Sequence, residues 1–345
     1  MSNPDAGERA YAYAKACGII SKSFVGKRIS ILAGLHSLSE LDRLVFPELH
    51  RELPGRELLI DLETRIVSRA VRHILAVISS YEEPPELLVH QLRSFEYADL
   101  KTCLHYIVAG KRTAPVCANL GRFSTIKFKF FPDLERMLTG TEFEFVLKEN
   151  ISADSKFDLT AVETELDMHY YRKLAVSLGQ LSSEDSSSVM RILCEEISLR
   201  NCVWALRLRS YFNESAAEAA EHLMDIQIAN SDGRGISLSR DAYKSLDKPL
   251  DTRSAWNDWK WEKFLNPEKY GEMWKVDPRH FQNAASEYLY RLALSCFHHV
   301  PFAVGAISCY IKLKQFEEDI LTSITEGIDL GMSCADVFTL LEVPV

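Results

Sequence analysis

The chain has 345 residues, 47% of them hydrophobic and 26% charged, with a formal net charge of -9. That composition excludes a disordered, collagen-like or disulfide-framework protein, and the length suggests roughly two or three domains. The acidic balance argues against a non-specific nucleic-acid binder, because a phosphate backbone selects a basic surface.

Eight cysteines, at positions 17, 103, 117, 194, 202, 296, 309 and 334, form no Cys-x-x-Cys pair. With no secretory leader legible at the start, reduced thiols in a cytosolic compartment are expected. The most apolar run, Val300 to Leu313, is shorter than the about 20 residues of a membrane span and predicts a buried core helix. Any work at a membrane is therefore expected to go through another protein.

In chain order the periodicity is helical. Leu62, Ile66, Ala70 and Ile74 recur every four residues within Asp61 to Ser80, which predicts an amphipathic helix with a broad buried face. Glu83-Pro84-Pro85-Glu86 ends it, and a second helix runs from Leu87 to about Val108, stopped by Gly110. Gly110 to Pro132 holds the alternating run Phe123 to Phe131, read as a short strand or a buried loop. Gly140 to Phe157 reads as a short helix and loop. Thr160 to Gly179 presents Leu166, Tyr170, Leu174 and Leu178 at helical spacing. Ser182 to Ser188 reads as a break, and Val189 to Phe212 as the returning helix. Asn230 to Pro249, with Asp232-Gly233 and Gly235, reads as a turn region. A third pair starts at Phe281 to Cys296 and ends with Gln315 to Gly327.

The three returning helices share a pattern. Glu96 is followed by Leu100, Cys103 and Ile107. Glu195 is followed at the same steps by Leu199, Cys202 and Leu206, and Glu317 by Leu321, Ile324 and Ile328. A Leu-Ala-apolar triplet precedes each Glu, beginning at Leu75, Leu174 and Leu292. One helical hairpin thus recurs three times, and its wide apolar face requires the copies to pack together.

Catalytic signatures are missing: no phosphate-binding loop, no His-Glu-x-x-His, no nucleophile elbow. Gly233-Arg-Gly235 is no dinucleotide fingerprint, and adjacent His298 and His299 diverge on a helix. Catalytic, cofactor and metal residues are accordingly expected to be none. The acids at Glu195-Glu196 and Glu317-Glu318-Asp319 leave one alternative, an all-α enzyme with paired carboxylates. Four of the five tryptophans fall within Trp256 to Trp274. There the acids Asp258, Glu262, Glu268 and Glu272 offset the lysines, so core packing or a protein interface is expected before nucleic acid. Residues 100–132 carry six Lys or Arg and no acid, whereas residues 133–167 carry ten acids and three bases. Such segments read as solvated faces or as a docking surface for a charged partner.

The opening Tyr11-Ala-Tyr-Ala-Lys15, the middle helix Glu195 to Arg207 and the closing run Tyr310 to Ile320 together resemble the C-subunit family of the archaeal and bacterial V-type (A-type) ATPases, related to the d-subunit of the eukaryotic V-ATPase. The resemblance covers essentially the whole chain. It implies an all-α, funnel-shaped protein of three similar helical domains about a pseudo-threefold axis, here 1–120 (formed mainly by the first hairpin and open to completion by C-terminal helices), 121–230 and 231–345. It implies a non-catalytic, cofactor-free socket between the central stalk and the membrane proteolipid ring, on the cytoplasmic face. Such a protein serves ion transport and ATP synthesis or hydrolysis as part of a rotary motor. The partner surface is expected at Lys111, Arg112, Arg122, Lys127 and Lys129, with Trp256, Trp259 and Trp274 as anchors. The alternative outside this family is a helical-repeat scaffold.

Overall fold

A computed structural model describes residues 6–148, 159–229 and 235–341. The fold is all-α, as the periodicity predicts. In chain order the helices are α1 (Ala6–Ile20), α2 (Leu38–Val45), α3 (Gly55–Ile78), α4 (Glu86–Val108), α5 (Leu134–Leu138), α6 (Leu159–Gly179) and α7 (Ser183–Tyr211). They continue as α8 (Ala216–Glu221), α9 (Arg240–Leu246), α10 (Pro278–Phe297), α11 (Val304–Asp329) and α12 (Cys334–Leu341). One small antiparallel pair, β1 (Gln227–Ala229) and β2 (Gly235–Ser237), interrupts them.

Local chemistry sets the boundaries. Gly110, at φ +67°, ends α4, and Gly331, at φ +78°, follows α11; both adopt a left-handed turn that a side chain disfavours. Asp277 caps α10, with Pro278 in its first turn. The expected break at Ser182 to Ser188 is instead the start of α7. Ser182 Oγ accepts the Asp185 backbone N–H at 3.1 Å, so the serine that seemed to end one helix begins the next. Ser187 and Ser188 return their hydroxyls to backbone carbonyls within the helix. The alternating run 123–131 forms no strand. It is a loop with single turns at Gly121–Phe123 and Phe128–Phe130. The third returning helix is longer than its pattern indicated and begins at Val304, within the apolar run. The Asp232-Gly233 turn and the end of the 140–157 segment lie outside the described residues.

Helix pairing is cyclic. Each returning helix packs on the next outgoing one: α4 on α6, α7 on α10, and α11 back on α3. The C-terminal half of α7, the connector through α8 and α9, and the start of α10 enclose one core around Trp256 and Phe281. The C-terminal half of α11 encloses another with α12, α2 and the start of α3, around Leu41, Leu62 and Ile324. The largest core joins α4, the residues 120–146 and α6 to the meeting ends of α3, α7, α10 and α11. Each fully buried Leu or Ile contributes about 1.5–3 kcal/mol, so the closure of this ring rests on apolar burial. At one crossing the backbones touch: a Cβ on Gly305 would lie 2.5 Å from the Ser188 carbonyl oxygen, which fixes how closely α11 meets α7.

Candidate functional site

Buried polar side chains pin the connectors to this ring. Glu96 on α4 is fully buried. Its Oε1 accepts the Ser124 hydroxyl and the Thr125 and Ile126 backbone N–H groups at 2.6–2.8 Å, and its Oε2 accepts the Thr125 hydroxyl at 2.9 Å. Asn201 on α7 exchanges two 2.9 Å hydrogen bonds with the Met224 backbone. Glu317 on α11 accepts the Phe24 N–H at 2.7 Å, Arg69 at 3.3 Å and the buried Lys314 ammonium. The Lys314 and Arg69 charges and the Phe24 N–H outweigh burial and hold the Glu317 carboxyl below its ordinary value; burial pushes Lys314 down to about 8. Two of the three pattern glutamates thus do the same work. Glu195 does not: it lies near the surface and pairs with Lys260 at 3.1 Å.

The helix ends are tied similarly. Asp185 accepts both Arg9 Nη atoms at 2.7 and 2.8 Å, and the Val304 N–H at 3.2 Å. One carboxylate therefore joins α1, α7 and the start of α11.

A cleft of about 220 Å³ opens between α6, α7, α10 and α11. Its polar lining has both signs: Lys312 meets Glu196 at 2.7 Å, while Arg200 and Asp319 reach solvent. Of the acids of the enzyme alternative, Glu196 and Asp319 line this cleft, Glu196 already paired with Lys312, whereas Glu195 and Glu317 have their own cationic partners elsewhere. Among the described residues no group of His, Cys, Asp or Glu is arranged to hold a metal ion. His298 contacts the Tyr13 hydroxyl at 3.1 Å.

Lys111, Arg112, Arg122, Lys127 and Lys129 are all exposed on the connector after α4. None forms an ion pair with another described residue. Lys111 lies over the Tyr106 ring at 4.0 Å, Arg122 over Phe123 at 4.9 Å and Lys129 over Phe130 at 5.1 Å, while Lys127 donates to the Thr139 carbonyl. The sequence reading missed Arg136, which shares the Phe130 ring at 4.2 Å. The neighbouring acids are partly neutralised from α4: Lys101 meets Asp167, His105 meets Glu163 and Arg93 approaches Glu142.

The tryptophan anchors are a correction. Trp256, Trp259 and Trp274 are 0%, 3% and 8% exposed. Each indole N–H donates at 2.9 Å to a backbone carbonyl of its own segment or a neighbouring one: Pro249, Asp241 and Asn266. They complete the core against α7 and α10 and present no ring to a partner. The exposed large apolar side chains of that stretch are Tyr270 and Met273. Nothing in the sequence pattern separated these from the tryptophans beside them.

Cyclic helix pairs, pinned connectors and an open two-signed cleft define an all-α protein of packed helical hairpins. The chain belongs to the ATP synthase (C/AC39) subunit family, whose model matches residues 59–337. Membership makes it a non-catalytic component with a coupling role in a V-type ATPase. A relative from Treponema pallidum (strain Nichols), described as an uncharacterized protein, is 28% identical over 328 residues, covering 93% of this chain and 92% of the relative. No helix among the described residues is long and apolar enough to cross a membrane.

Proposed function

We propose that this chain couples the central stalk of a V-type ATPase to its membrane proteolipid ring, from the cytoplasmic face. The family match across most of the helical ring carries the reading. Torque transfer needs stiffness, and buried carboxylates that lock connectors to helices supply it. The central cleft is the proposed seat of the stalk tip, with mixed charge to fix its orientation. The exposed cations from Lys111 to Lys129 form a second proposed contact, to an acidic partner surface. The division into three domains near residues 120 and 230 is part of the same proposal, as are rotary motion, ion transport and a place in ATP synthesis or hydrolysis.

The test is a pull-down from native membranes in mild detergent, with mass spectrometry of the recovered proteins. Recovery of stalk proteins together with a small proteolipid is the expected result. Recovery of neither, from cells that contain an intact V-type complex, overturns the proposal and favours a free helical scaffold.

A further inference from the structure

A second pocket lies on the opposite side of Arg200 from the central cleft, between α6, α7 and the turn after α8. Arg200, Trp204 and Arg207 follow one another at four and three residues along α7, so they share one face of the helix. His222 joins them at the rim. Arg207 donates one Nη to Gln282, but its Nε–H is buried with no acceptor among the described residues. The indole N–H of Trp204 is likewise buried and without an acceptor. Buried donors of this kind are costly to the fold unless something accepts their hydrogens.

The charges point the same way. Burial, and then the nearby Arg200 charge, pull the Arg207 guanidinium below its ordinary value. One carboxylate lines the pocket, Asp167, and it is paired with Lys101 at 2.8 Å. Two guanidinium groups therefore line the same space; Arg200 also borders the first cleft, where Glu196 and Asp319, like Asp167 here, favour its charge, while the buried Arg207 Nε–H has no such partner. The pocket volume of about 70 Å³ is the share of about two waters at about 30 Å³ each, room for a small anionic group.

We infer that the pocket formed by Arg200, Trp204, Arg207 and His222 binds a phosphoryl group. This site goes beyond the coupling role and does not depend on it. Free phosphate and a phospholipid headgroup carry the same chemistry, so the experiment separates them.

Purified protein is titrated with inorganic phosphate at constant ionic strength, followed by phosphorus NMR and tryptophan fluorescence. A parallel arm measures binding to vesicles with and without phosphatidic acid. Saturable binding is expected in at least one arm. Arg207→Gln and Arg200→Gln each weaken it about tenfold or more, the loss of a charge-assisted hydrogen bond. Trp204→Phe keeps the ring packing, removes the N–H and weakens binding severalfold. Response to phosphate alone assigns a soluble ligand, and response to the vesicles, lost in the same variants, assigns a headgroup. No saturable binding in either arm, or equal binding by wild type and a folded Trp204→Phe protein together with either Arg variant, overturns the site.

Discussion

The connector after α4 and the connector after α7 solve one problem in opposite ways. Both leave a returning helix and must lead to the next outgoing one. The first is held by a buried carboxylate, Glu96, and keeps its cations outside, laid over the Phe123 and Phe130 rings. The second turns its aromatic residues inward, where Trp256 and Trp259 meet edge to face at 5.1 Å and Trp259 stacks on Phe281 at 5.3 Å. The phenylalanines at 123–131 are therefore half-buried against the core in one connector, whereas the tryptophans are buried in the other. In the second connector the indole N–H groups of Trp256, Trp259 and Trp274 each find a backbone carbonyl, which lets those rings be buried.

Breaking the second connector should have the largest effect. Trp256→Ala removes a fully buried ring and is expected to cost about 3–5 kcal/mol, read as a drop in the denaturation midpoint. An unchanged midpoint would mean that the connector contributes nothing to the α7–α10 core. Next comes the first connector. Glu96→Ala leaves the Thr125 and Ile126 N–H groups unpartnered and is expected to cost about 3 kcal/mol. Glu195→Ala, at the matching repeat position, should cost less than about 1 kcal/mol, since its ion pair is near the surface. Equal losses in the two variants would contradict the difference in burial between them.

The strap from Ser21 to Leu53 extends the comparison to the third core. Farther along α3, burial, followed by the Lys314 and Arg69 charges, pushes the His73 imidazole down to about 3 from 6.5, against a smaller opposing effect of Glu317. The unfolded chain takes up a proton below about pH 6.5 that the folded chain refuses until about pH 3. Stability should therefore fall with pH across that window, by about 2 kcal/mol at pH 5 from this group. Urea denaturation of wild type and His73→Gln at pH 7 and pH 5 checks it; the variant should show the smaller loss. The smallest effect on stability belongs to the exposed cations. Neutralising Lys111, Arg112, Arg122, Lys127 and Lys129 should change stability by no more than about 0.5 kcal/mol per site. The same variant should bind purified rotor proteins more weakly and with less salt dependence, and unchanged affinity would remove the proposed contact.

Much of this was legible in the sequence, for particular reasons. Four-residue apolar spacing is a direct projection of a buried helix face, so α3, α4 and α6 were readable. Gly110 was readable because its turn requires the left-handed backbone. The Ser182 start was not, because a serine-rich stretch signals a break and a cap alike until its partner at Asp185 is recognised. Glu96, Glu195 and Glu317 looked equivalent in one dimension. Only the path of the connectors decides which carboxylate is covered. The basic residues were correctly expected at the surface, and the tryptophans were not, since composition cannot show which side of a loop faces inward. The spacing of Arg200, Trp204 and Arg207 was visible, but their shared pocket also needs α6 and the turn after α8.

The pairing of α11 with α3 has a consequence for how the protein is made. A ribosome completes the pocket for the first helices only after it has made α11. Phe24 must wait for Glu317, 293 positions later, before its N–H is accepted. The apolar stripe of α3 at Leu62 and Ile66 meets the residues around Leu32 and Leu41 but lacks its α11 side for that interval, a long exposure for a surface this prone to association. Nascent chains released before α11 should therefore depend on chaperones, whereas chains cut only after α12 should not.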